Sequence, residues 1–196
     1  MKKIFILVIM AFLAVASSAQ IEPGFRLGVR INGGLSSMNN YESNKATFGY
    51  GTSFVAEYNL KPILFLQSGV GIENIAYDDD YKIINVFYAQ LPVHVGYRYI
   101  FDNGKACFIQ AGPTFGIGLH GPDIQLYGSD PDNRFKYFGN NDHWCARRFD
   151  LELGGRAGIE LRKFQISVGA NYGVTKVFPR WGGHNFTVNL GVAYMF

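Results

Sequence analysis

Charged side chains in this chain of 196 residues recur within glycine-rich segments in which every second residue is apolar. Such alternation places the charged groups together on one face of an extended chain. Arginine and carboxylate groups gathered on an enclosed face must pair, because an unpaired buried charge is strongly destabilising. We therefore predict a network of ion pairs and hydrogen bonds that fills and plugs the interior of the protein, comprising Arg26, Arg30, Glu57, Glu73, His94, Arg98, Asp150, Glu152, Arg156 and Glu160, with amides of Gln67, Gln90, Gln110, Asn171 and Asn189. The alternative is a gated path for ions or protons through the same groups.

One stretch of the chain has the residue types that a membrane protease would use. Such a protease needs acidic residues and a histidine at the outer rim of the barrel. Asp142-His143 provides both residue types, and Asp123, Asp130 and Asp132 are further acidic residues nearby in the sequence. Clusters of this kind are also typical of a solvated polar loop. We interpret the stretch as such a loop and expect no enzyme activity.

The serine, histidine and cysteine residues offer little further chemistry. A lipid hydrolase needs a nucleophile and a histidine on its lipid-facing side, where Ser68 has no histidine beside it. His120, His143 and Cys145 match no known metal-ligand spacing, so we expect no metal and no cofactor. Cys107 and Cys145 are expected at opposite ends of the fold, about 25 Å apart, which is too far for a disulfide.

Strand periodicity extends from residue 25 to the end of the chain. Eight segments alternate apolar residues with polar residues or glycine, a period of two that indicates strands with two different faces. Connectors between them are alternately long and short, which is typical of an outer-membrane barrel with short periplasmic turns. We predict an all-β fold over residues 20–196, an eight-stranded antiparallel up-and-down transmembrane β-barrel. The strands are predicted at 25–35, 47–58, 64–73, 87–99, 107–119, 149–161, 164–174 and 186–196.

Two positions disturb the pattern. Ile84, Val86 and Tyr88 are apolar in the register opposite to that of the following strand, which predicts either a bulge or a strand that projects beyond the membrane. Pro113 has no N–H to donate to a strand ladder and predicts a local irregularity.

The apolar face is predicted to lie outside the barrel, against lipid. An eight-stranded barrel has little interior room beyond its own side chains. None of the apolar-face positions is Asp, Glu, Lys or Arg, although 17% of the chain is charged; one charge facing mid-membrane lipid costs ~2–4 kcal/mol. Aromatic residues at the two ends of the strands predict two girdles, formed by Phe25, Tyr58, Tyr97, Tyr99, Phe164 and Tyr194 at one edge and by Tyr50, Phe149, Tyr172 and Phe186 at the other.

The first residues have the layout of a secretory signal. Lys2 and Lys3 precede the apolar run 4–16, and small residues follow at 17–19, so we predict a cleaved signal peptide over residues 1–19. The run is shorter than the ~18–20 residues that a membrane helix needs. Without the two lysines, sixteen basic and fifteen acidic residues remain, a balance that argues against nucleic-acid binding.

The connector from His120 to Arg148 is the longest, and therefore the best candidate for contact with an extracellular protein or glycan. Its aromatic residues suit such binding or would cap the mouth of the barrel; they are Tyr127, Phe135, Tyr137, Phe138 and Trp144. A periplasmic protein partner would bind at the opposite face of the barrel.

Several short motifs occur in a fixed order: Tyr88-Ala89-Gln90-Leu91-Pro92-Val93, Ala111-Gly112-Pro113, Phe149-Asp150, Asn171-Tyr172-Gly173-Val174 and Val192-Ala193-Tyr194-Met195-Phe196. With them, residues 20–196 resemble the small outer-membrane β-barrel proteins of the Bacteroidetes type, the PorT-like group. The resemblance implies a place in the outer membrane of a Gram-negative bacterium and a C-terminal signal, Tyr194 and Phe196, for the barrel-assembly machinery. It implies no shared catalytic residues. We expect a structural or interaction role; the alternatives are a small pore, a PorT-like secretion-assembly factor or an outer-membrane enzyme.

Overall fold

Eight long antiparallel strands form one closed barrel in the computed structural model, which describes residues 24–39, 44–79, 83–101, 104–125, 134–139, 145–180 and 182–196. The strands are β1 (Phe25–Asn39), β2 (Asn44–Lys61), β3 (Leu64–Asp79), β4 (Ile83–Ile100), β5 (Lys105–His120), β6 (Ile124–Gln125), β7 (Arg134–Phe135), β8 (Phe149–Leu161), β9 (Phe164–Gly173) and β10 (His184–Met195). Strands β6 and β7 pair only with each other, and the barrel order is β1-β10-β9-β8-β5-β4-β3-β2. The predicted eight-stranded fold is confirmed. The predicted signal peptide lies outside the described residues.

The barrel is apolar outside and polar inside. Strand β9 shows this residue by residue, since exposed and buried positions alternate from Phe164 to Gly173. Its inward residues include Gln165 and Ser167, whereas outward Ile166 and Val168 are exposed. This distribution is the reverse of that in a water-soluble barrel, as predicted. In the described part of the chain no helix is both long and apolar enough to cross a membrane.

The two ends of the barrel differ. At the turn end, tight connections follow β2, β4 and β8, and Gly104 adopts a φ of 73° that favours glycine. At the loop end, strands β2 to β5 have 16–18 residues, whereas β8, β9 and β10 have 13, 10 and 12. The wall made by β2 to β5 therefore extends further at the loop end than the wall made by β8 to β10.

The irregularity predicted at Pro113 is present, whereas the bulge predicted at the start of the fourth strand lies instead in its neighbour β5. Phe87 pairs with His120 and Tyr88 with Gly118, so a bulge at Leu119 interrupts the β4–β5 ladder next to the segment of inverted register. The extra residue lies in β5, while β4 alternates without a break. Around Pro113 the same ladder lacks two pairs but keeps its register, because proline cannot donate to the ladder.

An amide on the outward face is covered by two aromatic rings. Asn74 of β3 is the ladder partner of both Tyr50 and Phe87, so the three side chains lie on one face. The two rings pack edge to face at 6.4 Å, and Asn74 is buried with neither its Oδ1 nor its Nδ2 hydrogen-bonded among the described residues.

This arrangement predicts that Asn74→Leu stabilises the barrel. A buried polar group without a partner costs about 1–3 kcal/mol, and leucine has a similar volume without the polar atoms. The measurement is the free energy of unfolding of the barrel in detergent. Thr52→Val on the same face is the control, because the Thr52 hydroxyl already donates to the Arg30 carbonyl at 3.2 Å. A loss of stability in Asn74→Leu would contradict the prediction.

Candidate functional site

The candidate site is the lumen, and its turn end contains a four-residue charge network. Glu57 is fully buried, at 0% exposure, and accepts from Arg98 at 2.5 Å, with Arg26 at 3.4 Å. Glu160 completes the network, 2.7 Å from Arg26 and 3.3 Å from Arg98. Two arginines therefore balance the charge of two glutamates. The four residues come from four different strands, which the closed barrel brings together.

Two glutamine side chains complete the shell of Glu57. The Nε2 atoms of Gln67 and Gln165 each lie 3.2 Å from Glu57 Oε2. Gln165 also donates to Glu160 at 3.2 Å. Hydrogen bonds of this kind are what a buried ion pair needs to offset the loss of water.

An aromatic residue fills the lumen beside this network. Phe65 is an inward, buried residue of β3, and the Arg98 guanidinium lies over its ring at 4.6 Å. Phe108 packs against it edge to face at 6.3 Å. Gly96 makes room for the ring, because a Cβ at position 96 would overlap it. The turn end is therefore occupied by both ion pairs and an aromatic side chain.

The middle of the lumen holds charged residues that form no ion pair with another described residue. A cavity of about 40 Å³ is lined there by Arg30, Glu73, His94 and Arg156. Arg30 donates to Gln67 at 2.8 Å, and Glu73 accepts from Asn32 at 3.3 Å. A single water molecule needs only ~10–15 Å³, so the cavity can hold a few waters that bridge these groups.

Three further residues of the predicted network, His94, Asp150 and Glu152, have uncharged hydrogen-bond partners. His94 lies between Gln110, at 3.2 Å from Nδ1, and Thr114, at 3.4 Å from Nε2. Glu152 is 3.5 Å from Gln90. Asp150 accepts from Thr175 at 2.5 Å and from Asn185 at 2.6 Å.

The predicted residues therefore divide into two groups. Among the described residues, ion pairs join Arg26, Glu57, Arg98 and Glu160. The other six either line the cavity, where water can bridge them, or are hydrogen-bonded to amides and hydroxyls. Sequence reasoning missed Gln165, Thr175 and Asn185, although all three are polar residues in strands or at their ends.

At the loop end, apolar residues of the strands and of the connectors form a buried cluster, here called the cap. Tyr88 projects inward from β4 and meets the Phe138 ring edge to face at 5.7 Å. The Tyr77 and Tyr137 hydroxyls are 2.9 Å apart, and Gly118 leaves space for the Phe138 ring. The cap consists of Met38, Ile75, Tyr77, Ile84, Val86, Tyr88, Tyr137, Phe138, Ala146, Val177 and Phe178, all buried.

The cap explains the inverted register at the start of β4. Ile84, Val86 and Tyr88 are apolar because they face inward above the polar lumen and pack against loop residues. Of the loop aromatics, Tyr137 and Phe138 belong to the cap. Tyr127 and Trp144, and the side chain of Phe135, lie outside the described residues.

The predicted aromatic residues lie near the two ends of the barrel. At the turn end Phe25 is the ladder partner of Tyr58, and Phe164 packs on Tyr194 at 5.2 Å. At the loop end Phe186 is the ladder partner of Tyr172. Tyr97 and Tyr99 near the turns, and Tyr50 and Phe149 near the loops, are exposed outward.

The cysteines and the metal candidates do not form a site in the described ranges. Cys107 and Cys145 are both free thiols. Cys107 is the partner of Tyr99 in the turn half of the β4–β5 ladder, whereas Cys145 borders Gly139 at the loop end. No group of three His, Cys, Asp or Glu side chains that could hold a metal occurs in the described ranges; His143, Asp130, Asp132 and Asp142 lie outside them.

Comparison with known proteins identifies the family. The model of the outer membrane protein beta-barrel domain family matches residues 16–179. The fold is similar to that of Neisserial surface protein A (NspA) from Neisseria, with a TM-score of 0.52 and 12% identity over 87% of this chain and 97% of that one. Ail, the attachment invasion locus protein of Yersinia pestis, gives 0.48 and 14% over 89% of this chain and 100% of that one. A search among curated proteins finds no match.

The family match extends over most of the chain and agrees with what the barrel shows: an apolar outer surface, a polar lumen and antiparallel strands throughout. The chain belongs to the outer membrane protein beta-barrel domain family and is an integral protein of the outer membrane.

Proposed function

We propose that this protein is a non-enzymatic scaffold of the outer membrane, with a closed lumen and an interaction role at its extracellular and periplasmic faces. The loop end is the extracellular one, because the short turns of bacterial outer-membrane barrels are periplasmic. The observation on which the proposal rests is the cap, a cluster of eleven buried, mostly apolar residues at the loop end of the barrel.

The cap supports a closed lumen on electrostatic grounds. Ions need a hydrated or polar path, and apolar constrictions exclude water. Below the cap, Asp150 and Glu152 are buried and bonded to neutral partners. At the periplasmic mouth Phe65 and the Glu57 network fill the remaining width.

A small pore is the second candidate, and the cavity in the middle of the lumen favours it. Arg156 lines that cavity without an ion-pair partner among the described residues. An arginine beside water is the kind of group that sets ion selectivity in a pore.

Planar-bilayer conductance distinguishes the two functions. We expect the wild-type protein, Arg156→Ala and Glu152→Ala all to give no stepwise current, because both mouths stay closed in each. Heat-modified migration on a gel, checked on the same samples, shows that the inserted protein is folded. Stepwise current in the wild type would contradict the closed lumen, and a change of its ion selectivity in Arg156→Ala would then favour the pore.

Export and assembly complete the proposal. We infer that residues 1–19 are removed as a signal peptide and that Tyr194 and Phe196 form the signal for the barrel-assembly machinery. The two rings are 5.6 Å apart at the end of β10. The aromatic girdles would place the barrel in lipid. A PorT-like role in secretion would instead show as partner proteins that co-purify with the intact barrel.

A further inference from the structure

A second cavity lies at the extracellular rim, outside the lumen. Its volume is about 220 Å³, and its wall includes Leu119, His120, Asp123, Lys136 and Arg148. The cap supplies its floor through the Tyr137 and Phe138 side chains. None of the lumen residues discussed above lines this cavity.

The charged residues that line this rim cavity carry a net positive charge. Lys136 and Arg148 contribute two permanent positive charges, and Asp123 contributes one negative charge. Neither Lys136 nor Arg148 forms an ion pair with a carboxylate among the described residues. His120 adds a ring nitrogen that can donate a hydrogen bond.

The Arg148 side chain is held in place before any ligand arrives. Its Nη1 donates to the Gly118 carbonyl at 3.0 Å, while the Arg148 carbonyl accepts from Gly118 N at 2.6 Å. The guanidinium carbon lies 5.6 Å from the centre of the Phe138 ring. The guanidinium keeps further N–H groups for a ligand, and its fork matches a phosphate group.

The position of the rim cavity selects the source of the phosphate. Leu119 is 48% exposed and Phe149, next to Arg148, is 52% exposed. Both are large apolar residues at the outer edge of the barrel, where aromatic residues mark the level of the lipid headgroups. The polar headgroups of the lipids, with their phosphate groups, lie at that level.

We propose that the rim cavity binds the phosphate group of an outer-leaflet lipid, with Lys136 and Arg148 as its cationic ligands. Binding there is independent of conduction through the lumen, because the rim cavity and the lumen share no charged residue.

The test measures association of spin-labelled phosphatidic acid with the mature barrel in nanodiscs of phosphatidylcholine. Lys136→Gln with Arg148→Gln is expected to weaken the association by more than about tenfold, since each charge-assisted hydrogen bond lost corresponds to about tenfold or more. The matched control is Arg147→Gln with Lys176→Gln, which removes two exposed charges from the same end but not from the cavity. Arg148→Lys, which keeps the charge but not the fork, is expected to bind more weakly than the wild type and more strongly than the double variant.

Two results would overturn the proposal. Equal weakening in the cavity and control variants would indicate a general attraction between charges and the membrane surface. In a second arm, inorganic phosphate is titrated onto the protein in detergent. Binding of free phosphate that depends on Lys136 and Arg148, without any preference for the lipid, would assign the cavity to a soluble anion.

Discussion

Replacing Glu57 with alanine is expected to lower the free energy of unfolding by about 3–5 kcal/mol, the cost of removing one partner from a buried ion pair. Glu57 is fully buried and is the shared partner of Arg26 and Arg98. Its removal also leaves the amide groups of Gln67 and Gln165 without an acceptor at this position. The Arg98 charge cannot reach water easily, because its side chain is only 6% exposed and its guanidinium lies over the Phe65 ring.

Unfolding of the purified barrel in detergent, followed by tryptophan fluorescence or circular dichroism, measures the loss. Glu160→Ala is the matched control, since the Glu160 side chain is 12% exposed and its removal leaves both arginines still paired with Glu57. The double variant Glu57→Ala with Arg98→Ala should be more stable than the sum of the single losses implies. Equal losses for Glu57→Ala and Glu160→Ala would show that Glu57 is not the centre of the network.

Removing the Tyr88 ring is expected to cost a similar amount, about 3–5 kcal/mol, as for other large aromatic residues truncated in a core. Tyr88 is 2% exposed and projects from the barrel wall into the cap. Its backbone is fixed by ladders on both sides, so the wall cannot collapse to fill the space. The Phe138 ring would lose its edge-to-face partner.

Tyr97→Ala is the control for this variant, because Tyr97 lies on the same strand but is exposed outward. We expect a clearly smaller loss there. Hydrogen exchange should localise the effect of Tyr88→Ala to residues 137–138 and 177–178, whose side chains belong to the cap. Faster exchange spread evenly over all strands would contradict the role given to the cap.

The strands and the direction of their side chains could be predicted from sequence, because a period of two assigns every residue to one face. Residues such as Ile31 and Leu190 alternate with glycine, asparagine and arginine, and both are exposed outward in the barrel. This alternation, together with the lengths of the connectors, is sufficient to predict a barrel whose apolar face is turned to lipid.

The pairing inside the lumen could not be predicted in the same way. Arg98 and Glu57 lie on β4 and β2, strands that are not neighbours, and they meet across the lumen. Such contacts depend on the shear and tilt of the closed barrel, which alternation does not encode. The position of the Phe65 ring is easier to predict. Phe65 is an inward aromatic residue whose ladder partner is Gly96, and this pairing indicates that the ring extends across the lumen.

The cap could not be predicted because its partners are far apart in sequence. Ile84 and Val86 belong to β4, whereas Phe138 and Val177 come from two later connectors. Within β4 alone, these inward apolar residues indicate only an irregularity. Their role becomes clear only from the connector residues against which they pack at the loop end of the barrel.

The composition of the cap also has a consequence for the order of assembly. Met38 at the end of the first strand contacts Gly183, just before the last strand, across the β1–β10 seam. The cap therefore becomes complete only after the last strand has paired with the first. A chain stalled before that step would leave Met38, which is buried in the finished barrel, exposed to water. Accessibility of the Met38 thioether to a water-soluble oxidant thus distinguishes unfinished barrels from finished ones.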